Sequence, residues 1–469
     1  MRTLKRNDLK GITATVMGLG LNGGGLASAR FLAQAGARVT VTDMKDEATL
    51  APSIAALDGL GIRFVLGRHE LEDFSSADIV VKNPAVRPDS PYLAVAKRVE
   101  SDMSIFLALC PAPVYAVTGS KGKSTCSSAL AHALRASGFP TYLGGNITVS
   151  PFSFLDELTP AARVVLELSS WQLGDLKGMG VLKPKAAILT LIVPDHLDRY
   201  GTMEAYVADK RLIYADQGPG DWTICNADDP YGRSFAAETR ASPLFFGKRP
   251  PEGAYGAAIN ADGSAEASLP GMKSFTLVPA SVRLPGAHNR YNLAAAGLAA
   301  WAAGADPDAI ARGLAEFGGV EHRLELFLER DGVSWCNDSA ATVPEAVAAA
   351  LSSFDRPIVL ITGGTDKVLD FTPHRKAYAK AKRLVLLRGT GTDKLRALLD
   401  EDGIGYDGPY DDIRAAVARA KELAAPGSVA MLSPGCTSFG MFKNEFDRGR
   451  SFKEAVAASY AAPPQPPIA

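Results

Sequence analysis

One segment, Val117–Thr125, restricts the architectures open to this chain more than any other part of it. The apolar run Ala112–Val117 before it is typical of a buried strand, and the residues after Thr125 have the apolar spacing of a helix. A glycine turn between a strand and a helix N-terminus can bind phosphate groups through backbone N–H groups. The segment therefore predicts a nucleoside triphosphate site, where Lys123 contacts the terminal phosphates and Ser124 contacts a magnesium ion.

This glycine turn is an incomplete match to the Walker phosphate-loop pattern, because Val117 stands where that pattern has its first glycine. The alternative is an ordinary turn that connects a strand to a helix. The run Gly122-Lys-Ser-Thr125 stands at the predicted start of the helix, and this position favours the nucleotide site over the alternative.

The chain of 469 residues is too long for a single hydrophobic core, and its length suggests about three domains. Its net charge of −1 gives no reason to expect a nucleic acid or an anionic membrane as partner. Its five scattered cysteines indicate reduced thiols rather than disulfides or a zinc site. The first residues lack the apolar core of a signal peptide, and no apolar run reaches the ~18 residues of a membrane span. We therefore expect a cytoplasmic protein without membrane insertion.

The N-terminal part of the chain alternates strand and helix patterns, which favours a parallel sheet. A strand that starts at Thr13 leads into the G-x-G-x-x-G turn Gly18–Gly23, and Asp43 ends the next strand. An acidic residue about twenty positions after such glycines is the fingerprint of dinucleotide binding. The same geometry suits any diphosphate ligand, so a nicotinamide dinucleotide and a nucleotide sugar are both open at this point. Asn83 follows another strand and is predicted to lie at the same edge of the sheet.

The central part of the chain places ionisable side chains next to predicted strands and helices. Glu167 lies among the apolar residues of a predicted strand over 163–173, and a buried carboxylate needs either a metal ion or a salt bridge as partner. A later strand runs into the cluster Asp195–Tyr200, which contains a histidine, two aspartates and an arginine. On the predicted helix 203–215, Lys210 occupies an otherwise apolar face, so it either extends to water or has a special function.

Asn289 and Asn292 are three residues apart near the start of a predicted helix over 293–302, so both amides point to the same side. A plain helix cap explains only one of them. From about Gly318 a third unit contains several strands that end in small polar residues, which marks the ligand edge of a doubly wound sheet. The proline-rich tail from about 461 is expected to be disordered.

Together these motifs resemble the Mur ligases, the ATP-dependent enzymes that form amide bonds in peptidoglycan precursor synthesis. The resemblance extends over essentially the whole chain and depends on the order of the motifs rather than on any single one. The shared motifs are Gly119–Thr125, Glu167-Leu-Ser-Ser170, Asp195-His196, Gly286-Ala-His-Asn-Arg-Tyr-Asn292, Glu321-His322-Arg323 and Asn337-Asp338-Ser339. Further details resemble the branch of the family that adds D-glutamate: Gly18–Gly23, Ser169-Ser-Trp-Gln-Leu173, Asp195–Tyr200, Asn226-Ala-Asp-Asp229, Leu432–Ser438 and Phe442-Lys-Asn444.

The resemblance implies an enzyme that joins D-glutamate to UDP-N-acetylmuramoyl-L-alanine with ATP, through an acyl phosphate. The alternative is a sister ligase that adds a different amino acid, for example L-glutamate. The implied fold is α/β with three domains: a Rossmann-like UDP-sugar-binding domain over 1–110, a P-loop-type ATPase domain with a mostly parallel sheet over 111–317, and a Rossmann-like, doubly wound glutamate-binding domain over 318–469. We expect a monomer whose partners are these small-molecule substrates.

The resemblance also implies the site residues. Those for ATP are Gly119, Ser120, Lys121, Gly122, Lys123, Ser124, Thr125, Asn289, Asn292, Arg323 and Asp338. Those for the UDP-sugar substrate are Leu21, Asn22, Asp43, Lys45, Asn83, Asn146, Ser169, Gln172 and His196, and those for the incoming glutamate are Thr342, Lys367 and Ser438. The implied catalytic residues are Lys123, Glu167, His196 and Lys210.

Two magnesium ions and one CO2 molecule complete the implied cofactors. Ser124 and Glu167 match the ligands of one ion, and His196 and Lys210 match those of the other. Lys210 matches the lysine that this family carbamylates with CO2, and the carbamate would be the ligand. The apolar face of Lys210 is consistent with this role, because desolvation favours the neutral amine that CO2 requires.

The sequence departs from the family pattern near the presumed amino-acid pocket. Ala340 and Val343 replace a lysine and an asparagine, and Glu445 replaces an aromatic residue. These departures leave the identity and the stereochemistry of the added amino acid open.

Three other functions fit the sequence less well. An NAD-dependent oxidoreductase leaves Glu167, His196 and Lys210 without a function. A folate ligase of the same superfamily would begin with the ATPase unit, and this chain does not. A nucleotide-sensing module would bind ATP without turnover, and replacement of Lys210 would then have no effect.

Overall fold

The computed structural model of the chain describes residues 4–20, 24–147, 149–366, 369–438 and 440–460, and for Asp198 it describes only the backbone. Within these ranges the strands form three sheets of five, nine and six strands. The chain divides into two compact units, Met1–Ser281 with Ala287–Ala315 and Val282–Gly286 with Glu316–Ala469. The first two sheets belong to the first unit, and the third sheet belongs to the second.

The N-terminal sheet consists of β1 (Thr13–Met17), β2 (Arg38–Asp43), β3 (Arg63–Leu66), β4 (Ile79–Lys82) and β5 (Val99–Ser101). Its order is β3-β2-β1-β4-β5, and all neighbours are parallel. The strand order reverses between β1 and β4, which is where open α/β sheets bind ligands at the carboxyl ends of their strands. The helices are α1 (Gly24–Gln34), α2 (Glu47–Ala55), α3 (Leu71–Ser75), α4 (Pro91–Ala94) and α5 (Asp102–Leu109), after a 3-10 helix over Arg6–Leu9.

The middle sheet has the order β14-β13-β12-β11-β10-β9-β6-β8-β7. Strands β6 to β12 all pair parallel, and β13 pairs antiparallel with both β12 and β14. Its strands are β6 (Val114–Thr118), β7 (Thr141–Gly145), β8 (Arg163–Glu167), β9 (Ala186–Leu189), β10 (Trp222–Asn226), β11 (Ser242–Gly247), β12 (Gly256–Ile259), β13 (Ala265–Ser268) and β14 (Phe275–Val278). Its helices are α6 (Lys123–Ala136), α7 (Ser170–Asp175), α8 (Leu197–Tyr200), α9 (Met203–Arg211), α10 (Gly232–Glu238), α11 (Ala287–Ala302) and α12 (Pro307–Glu316), with 3-10 helices over Pro151–Ser153 and Leu155–Glu157. Strand β6, which leads into the phosphate loop, lies between β8 and β9.

The third sheet consists of β15 (Glu325–Arg330), β16 (Val333–Asn337), β17 (Ile358–Thr362), β18 (Arg383–Leu387), β19 (Asp407–Tyr410) and β20 (Val429–Leu432). Its order is β15-β16-β20-β17-β18-β19, and only β15 and β16 pair antiparallel. The helices are α13 (Pro344–Leu351), α14 (Thr390–Glu401), α15 (Ile413–Leu423) and α16 (Glu445–Ser459), with a 3-10 helix over Thr372–Lys380. The strands contribute to two separate hydrophobic cores, one around Trp335 and Phe452 and one around Leu360 and Leu395, as in a doubly wound sheet.

The predicted α/β fold with three mostly parallel sheets is confirmed. The domain boundaries at 110 and 317 stay a prediction, and the tail from 461 lies outside the described residues. Within the described part of the chain, no helix combines the length and the apolar character that crossing a bilayer requires.

Three predicted elements have wrong limits. The strand expected over 163–173 ends at Glu167, because Ser169 caps a new helix, α7, in a reciprocal capping box with Gln172. The helix expected from Leu293 begins at Ala287, so both asparagines lie inside α11. The helix expected over 203–215 ends at Arg211.

Candidate active site

The phosphate-loop segment joins β6 to α6 through a backbone conformation that requires glycine at its last position. Gly122 is the N-cap of α6 and has a φ of 89°, and a Cβ there would lie 2.3 Å from Asn292 Oδ1. At Gly119, a Cβ would lie 1.9 Å from Thr190 Oγ1. Because both glycines lack a Cβ, the loop backbone lies close to the side chains of Asn292 and Thr190. The first turn of α6 presents the N–H groups that bind anions at a helix start.

Ser120 fastens the loop to the segment after β9. Its N–H donates to Leu191 O at 2.7 Å, and its hydroxyl donates to Val193 O at 2.8 Å and lies 3.0 Å from the Tyr206 hydroxyl. The side chain of Ser120 therefore holds the loop against the segment after β9 and against Tyr206. The neighbouring Lys121 has an exposed side chain.

Two lysine side chains meet at one backbone carbonyl of the loop. Lys123 Nζ donates to Gly119 O at 3.0 Å, and Lys210 Nζ donates to the same oxygen at 2.9 Å. Lys210 is only 1% exposed, and its Nζ lies 4.5 Å from the centre of the Tyr206 ring. Burial, and after it the positive charge of Lys123, lowers the pKa of Lys210 to about 7, although nearby carboxylates act in the opposite direction.

Glu167 ends β8 directly beside the loop, because Val117 of β6 is its register partner. The carboxylate is 1% exposed, and its Oε1 accepts a hydrogen bond of 2.9 Å from Asn146 Nδ2. Its second oxygen, Oε2, is buried and has no hydrogen-bond partner among the described residues. A buried carboxylate oxygen without a donor is unfavourable, and oxygen is the ligand type that magnesium prefers. The residues present therefore fit a magnesium ion at this position.

His196 has a left-handed backbone with a φ of 53°. For a residue other than glycine this conformation costs roughly 1–2 kcal/mol, and such residues concentrate at functional sites. The imidazole is half-exposed, and its ring centre lies 5.1 Å from that of Trp171. The guanidinium of Arg199 lies 4.0 Å from the centre of the same indole. The imidazole thus packs against an aromatic ring and remains accessible to a ligand.

A cavity of about 290 Å³ opens beside the loop in the first unit. Its lining includes Gly122, Asn226, Phe246, His288, Tyr291 and Asn292. Asn292 Nδ2 donates to Asn289 Oδ1 at 3.2 Å, so the two amides lie side by side at the start of α11, as their spacing predicts. A cavity with aromatic walls and a few amide groups next to a phosphate loop has the character of a nucleoside pocket.

The N-terminal sheet brings Asp43 and Asn83 to its carboxyl edge. Asp43 Oδ2 accepts from the N–H of Gly20 at 3.0 Å, and its Oδ1 accepts from the N–H of Lys45 at 2.9 Å. The Cβ of Asn83 lies 3.2 Å from where a Cβ on Gly18 would stand. Asp43 therefore holds the glycine turn at Gly20, and Lys45 has an exposed side chain. Two further predicted residues, Leu21 and Asn22, lie outside the described residues.

Three other residues predicted to contact the sugar substrate support local structure. Gln172 Oε1 accepts from the N–H of Ser169 at 3.0 Å, and Ser169 Oγ accepts from the N–H of Gln172 at 3.2 Å. The N–H of Asn146 also donates to Glu167 O at 2.9 Å. These side chains fix the start of α7 and the orientation of Glu167, which the sequence did not indicate.

The second unit contains the remaining predicted residues for ATP and glutamate. Asp338 is buried, its Oδ1 accepts from the N–H of Leu324 at 3.1 Å and its Oδ2 accepts from Ser433 Oγ at 2.7 Å. Burial raises the pKa of Asp338 to about 7, and the charge of Arg323 acts against this shift. Ser438 is buried beside a small cavity, and Thr342 is half-buried. Lys367 lies outside the described residues.

Glu321, His322 and Glu325 in the second unit have ligand atoms within 4.8 Å of one another, a spacing that could suit a metal ion. Lys453 already forms ion pairs with both carboxylates, since its Nζ lies 2.6 Å from Glu325 and 3.4 Å from Glu321. His322 Nδ1 lies 2.8 Å from Asn337 Nδ2, which can act only as a donor. The cluster is therefore an internal ion-pair network.

Two parts of the site were not predicted from the sequence. Tyr206 contacts both Ser120 and Lys210, and its position four residues before Lys210 on α9 is the signal that could have revealed it. The Tyr291 hydroxyl donates to Asp228 Oδ2 at 2.7 Å across the nucleoside-like cavity, and both residues lie within motifs whose individual members were not assigned.

Comparisons with known proteins cover almost the whole chain. Three family models match in succession: "Mur ligase MurD-like, N-terminal domain" over 13–104, "Mur ligase middle domain" over 117–300 and "Mur ligase, glutamate ligase domain" over 322–436. A protein of Roseiflexus sp. (strain RS-1) is 47% identical over 96% of this chain and 99% of its own length. One of Treponema pallidum is 41% identical over 96% of this chain and 98% of its own length. Both are named UDP-N-acetylmuramoylalanine–D-glutamate ligase.

The fold is also similar to that of solved structures. The UDP-N-acetylmuramate–alanine ligase MurC of Thermotoga maritima aligns with a TM-score of 0.58 at 20% identity, over 96% of this chain and 100% of its own. At this identity the likeness concerns the fold alone. The full-length relatives and the three successive family models confirm the resemblance inferred from the motifs: the chain belongs to the Mur ligase family.

Proposed function

We propose that this chain is an ATP-dependent ligase that joins D-glutamate to UDP-N-acetylmuramoyl-L-alanine and releases ADP and phosphate. Full-length relatives at 47% and 41% identity carry the name of this activity. The observation that carries the proposal is the meeting of Lys123 and Lys210 at Gly119 O, beside the carboxylate of Glu167. This arrangement concentrates charged groups where a phosphoryl group would be transferred.

Mur ligases use ATP and magnesium, and the chain supplies suitable residues for both. Ser124 and Glu167 would hold one magnesium ion, and the orphaned Oε2 of Glu167 supports this assignment. His196 and Lys210 would hold a second ion. When bound, the ions would neutralise the negative charge of the phosphates and of the substrate carboxylate.

We further propose that Lys210 is carbamylated by CO2. Two ammonium groups that share one carbonyl repel each other, and Lys210 is too deeply buried for water to screen that repulsion. A neutral amine at Lys210 removes the repulsion and is the form that reacts with CO2. The Lys210 nitrogen forms a bond to the carbon of CO2 and releases one proton, which leaves a carbamate anion. The anion attracts Lys123 instead of repelling it and offers oxygen atoms to a metal ion.

The residues then act on the substrates in two chemical steps. A carboxylate oxygen of UDP-N-acetylmuramoyl-L-alanine attacks the γ-phosphorus of ATP, and the bond from that phosphorus to the β,γ-bridging oxygen breaks. Lys123, held over the loop, stabilises the charge on the transferred group. The amine of D-glutamate attacks the carbonyl carbon of the acyl phosphate, loses a proton and expels phosphate. The amide bond replaces the acyl–phosphate bond.

The substrates bind at the edges of the sheets. The cavity beside Asn289 and Asn292 accepts the adenine of ATP. Arg323 and Asp338 remain ATP contacts implied by the family motifs, Asp338 through the ribose. The glycine turn held by Asp43, together with Asn83, binds the UDP part of the sugar substrate. Thr342 and Ser438 bind the incoming glutamate. All of these sites use small polar side chains and backbone N–H groups, which are the groups that bind anionic ligands.

We propose that the enzyme acts as a monomer in the cytoplasm. Its five cysteines are all free thiols, and four of them are buried. Unpaired cysteines are usual where the compartment is reducing.

Phosphate release from ATP tests the proposal. Purified chain is incubated with magnesium, ATP and UDP-N-acetylmuramoyl-L-alanine, and D-glutamate, L-glutamate, L-lysine and glycine are added in separate reactions. We expect release with D-glutamate alone. Release with another amino acid would assign the chain to a sister ligase, which would mean that Ala340 and Glu445 alter the pocket. ATP binding without release in any reaction would contradict the catalytic function.

A further inference from the structure

A buried ion pair in the first unit connects the N-terminal sheet to the middle sheet. Lys82, the last residue of β4, donates from Nζ to Asp175 Oδ2 at 2.7 Å, and Asp175 is the last residue of α7. The side chains are 4% and 8% exposed. Lys82 Nζ also donates to Val86 O at 3.2 Å, so it closes the turn that carries Asn83.

Each partner belongs to an element that bears predicted site residues. The turn after Lys82 contains Asn83 and faces a small cavity that Gly18 and Gly25 also line. Helix α7 begins after its N-cap Ser169, two residues beyond Glu167. The ion pair therefore links the glycine turn of one sheet to the strand end that carries the buried carboxylate of the other.

The pair is costly to break and adds little to stability, which points to positioning. Removing one partner of a buried ion pair leaves an uncompensated charge, whereas replacing both by apolar residues is often neutral. Asp102 from α5 and Arg199 from α8 are further charged groups that act on Asp175. A buried ion pair of this kind fixes the placement of two parts of a protein relative to each other.

We propose that Lys82 and Asp175 are positioning residues that set the distance between the sugar-nucleotide site and the phosphate loop. The inference rests on the proposed function, because it assigns the N-terminal edge to the UDP-sugar substrate. The pair touches neither reacting atom, and it holds Asn83 and α7 in the register that lets the substrate carboxylate reach the γ-phosphate.

Steady-state kinetics of four variants test this role. Lys82→Met and Asp175→Asn each break the pair, and Lys82→Met combined with Asp175→Leu replaces it with apolar side chains. Lys185→Met is the matched control, since Lys185 forms an ion pair of 2.9 Å with Asp221 in the middle domain and is 57% exposed. For each variant, KM for UDP-N-acetylmuramoyl-L-alanine, KM for ATP, kcat and the thermal midpoint are measured.

We expect kcat/KM for the sugar nucleotide to fall by about 10- to 100-fold in both single variants, because small misplacements of reacting groups have effects of this size. The KM for ATP should stay within about twofold of the wild-type value, since the phosphate loop is untouched. The double variant should recover the thermal midpoint of the wild type and remain impaired with the sugar nucleotide. Lys185→Met should behave as wild type.

Two results would overturn the inference. One is wild-type kinetics in the double variant, which would make the pair a purely structural contact. The other is an equal rise of both KM values in the single variants. A wild-type chain without ligase activity would instead contradict the proposed function. In that case calorimetric Kd values for UDP-N-acetylmuramoyl-L-alanine replace KM, and equal Kd values in wild type and variants, or no binding to any of them, would overturn the positioning role.

Discussion

Lys123 and Lys210 donate to the same oxygen, the backbone carbonyl of Gly119, at 3.0 and 2.9 Å. One lysine comes from the start of α6 and the other from α9, so the fold brings two cations from distant parts of the chain to one point. Two positive charges at one point repel each other before the substrates bind. A carbamate on Lys210 and the phosphates of ATP both supply negative charge, which offsets this repulsion.

Added carboxylic acids are expected to restore part of the activity that is lost when the buried Lys210 is replaced. Lys210→Ala should lower the rate of phosphate release by about 100-fold, in line with the loss of a group that tunes a metal site. Short carboxylic acids such as acetate should restore part of the rate, because their carboxylate can occupy the space of the carbamate. The wild type incubated with 13C-labelled bicarbonate should show a carbamate carbonyl signal in NMR spectra that Lys210→Ala lacks. Full activity of Lys210→Ala would contradict the metal-ligand role.

We expect the orphaned oxygen of Glu167 to make the magnesium requirement of the reaction depend on this carboxylate. Glu167→Gln keeps the shape of the side chain and removes its charge, so the thermal midpoint without metal should stay equal or rise. The magnesium concentration for half-maximal phosphate release should increase by about 10- to 100-fold. Glu238→Gln is the control, since Glu238 is half-exposed and pairs with Arg211. An unchanged magnesium requirement in Glu167→Gln would remove Glu167 from the metal site.

Two glycines at opposite ends of α6 allow the cost of a left-handed backbone to be measured separately from the effect of a steric clash. Gly122 and Gly138 have φ values of 89° and 85°, but a Cβ would meet Asn292 only at Gly122 and would meet no atom within 4 Å at Gly138. Alanine at either position should cost roughly 1–2 kcal/mol of folding free energy. Calorimetry should show an ATP affinity at least about tenfold lower for Gly122→Ala alone, because only that Cβ displaces the asparagine beside the loop. Equal ATP affinities in the two variants would show that the contact between Gly122 and Asn292 does not affect ATP binding.

The KM for the sugar nucleotide should depend on pH through Asp175. Burial raises the pKa of this carboxyl to about 6, with Lys82 and Arg199 acting against the shift and Asp102 acting with it. As the pH falls from 7 to 5, Asp175 takes up a proton and the ion pair with Lys82 loses its charge complementarity. We therefore expect KM to rise over this range in the wild type and to be high and nearly constant in Asp175→Asn.

The same titration should not unfold the protein. Because the pKa of Asp175 in the folded state lies above its usual value of 3.8, its contribution to stability is greatest at low pH and is lost as the pH rises through about 6. A rise in KM at low pH therefore cannot come from destabilisation by this group. Parallel pH profiles for wild type and Asp175→Asn would show that another group is responsible.

The sequence allowed the fold and much of the site to be predicted because phosphate loops and strand ends have local signatures. The glycine turn before Lys123 and the strand that carries Glu167 are examples, and both lie where the patterns indicated. Contacts between distant segments have no such signature. Nothing in the sequence around Ser120 shows that its hydroxyl binds Val193 and Tyr206, and the link from Lys82 to Asp175 depends on the packing of two sheets.

The limits of elements were predicted less well where side chains compete with the backbone. The strand pattern after Glu167 continues to Leu173 in hydrophobicity, but Ser169 and Gln172 form a capping box that starts a helix instead. In α11 the helix begins six residues before the alanine-rich run, because Ala287 and the residues after it also tolerate helical geometry.

Transfer of oxygen from the substrate carboxylate to phosphate tests whether the reaction passes through an acyl phosphate. UDP-N-acetylmuramoyl-L-alanine with 18O in both carboxylate oxygens is incubated with ATP, magnesium and D-glutamate, and the phosphate is analysed by mass spectrometry. We expect each phosphate released to carry one 18O atom and the other 18O atom to stay in the new amide, since the carboxylate oxygen attacks phosphorus. Phosphate without 18O would mean that water attacks ATP, and would contradict the assignment of this chain as an amide ligase.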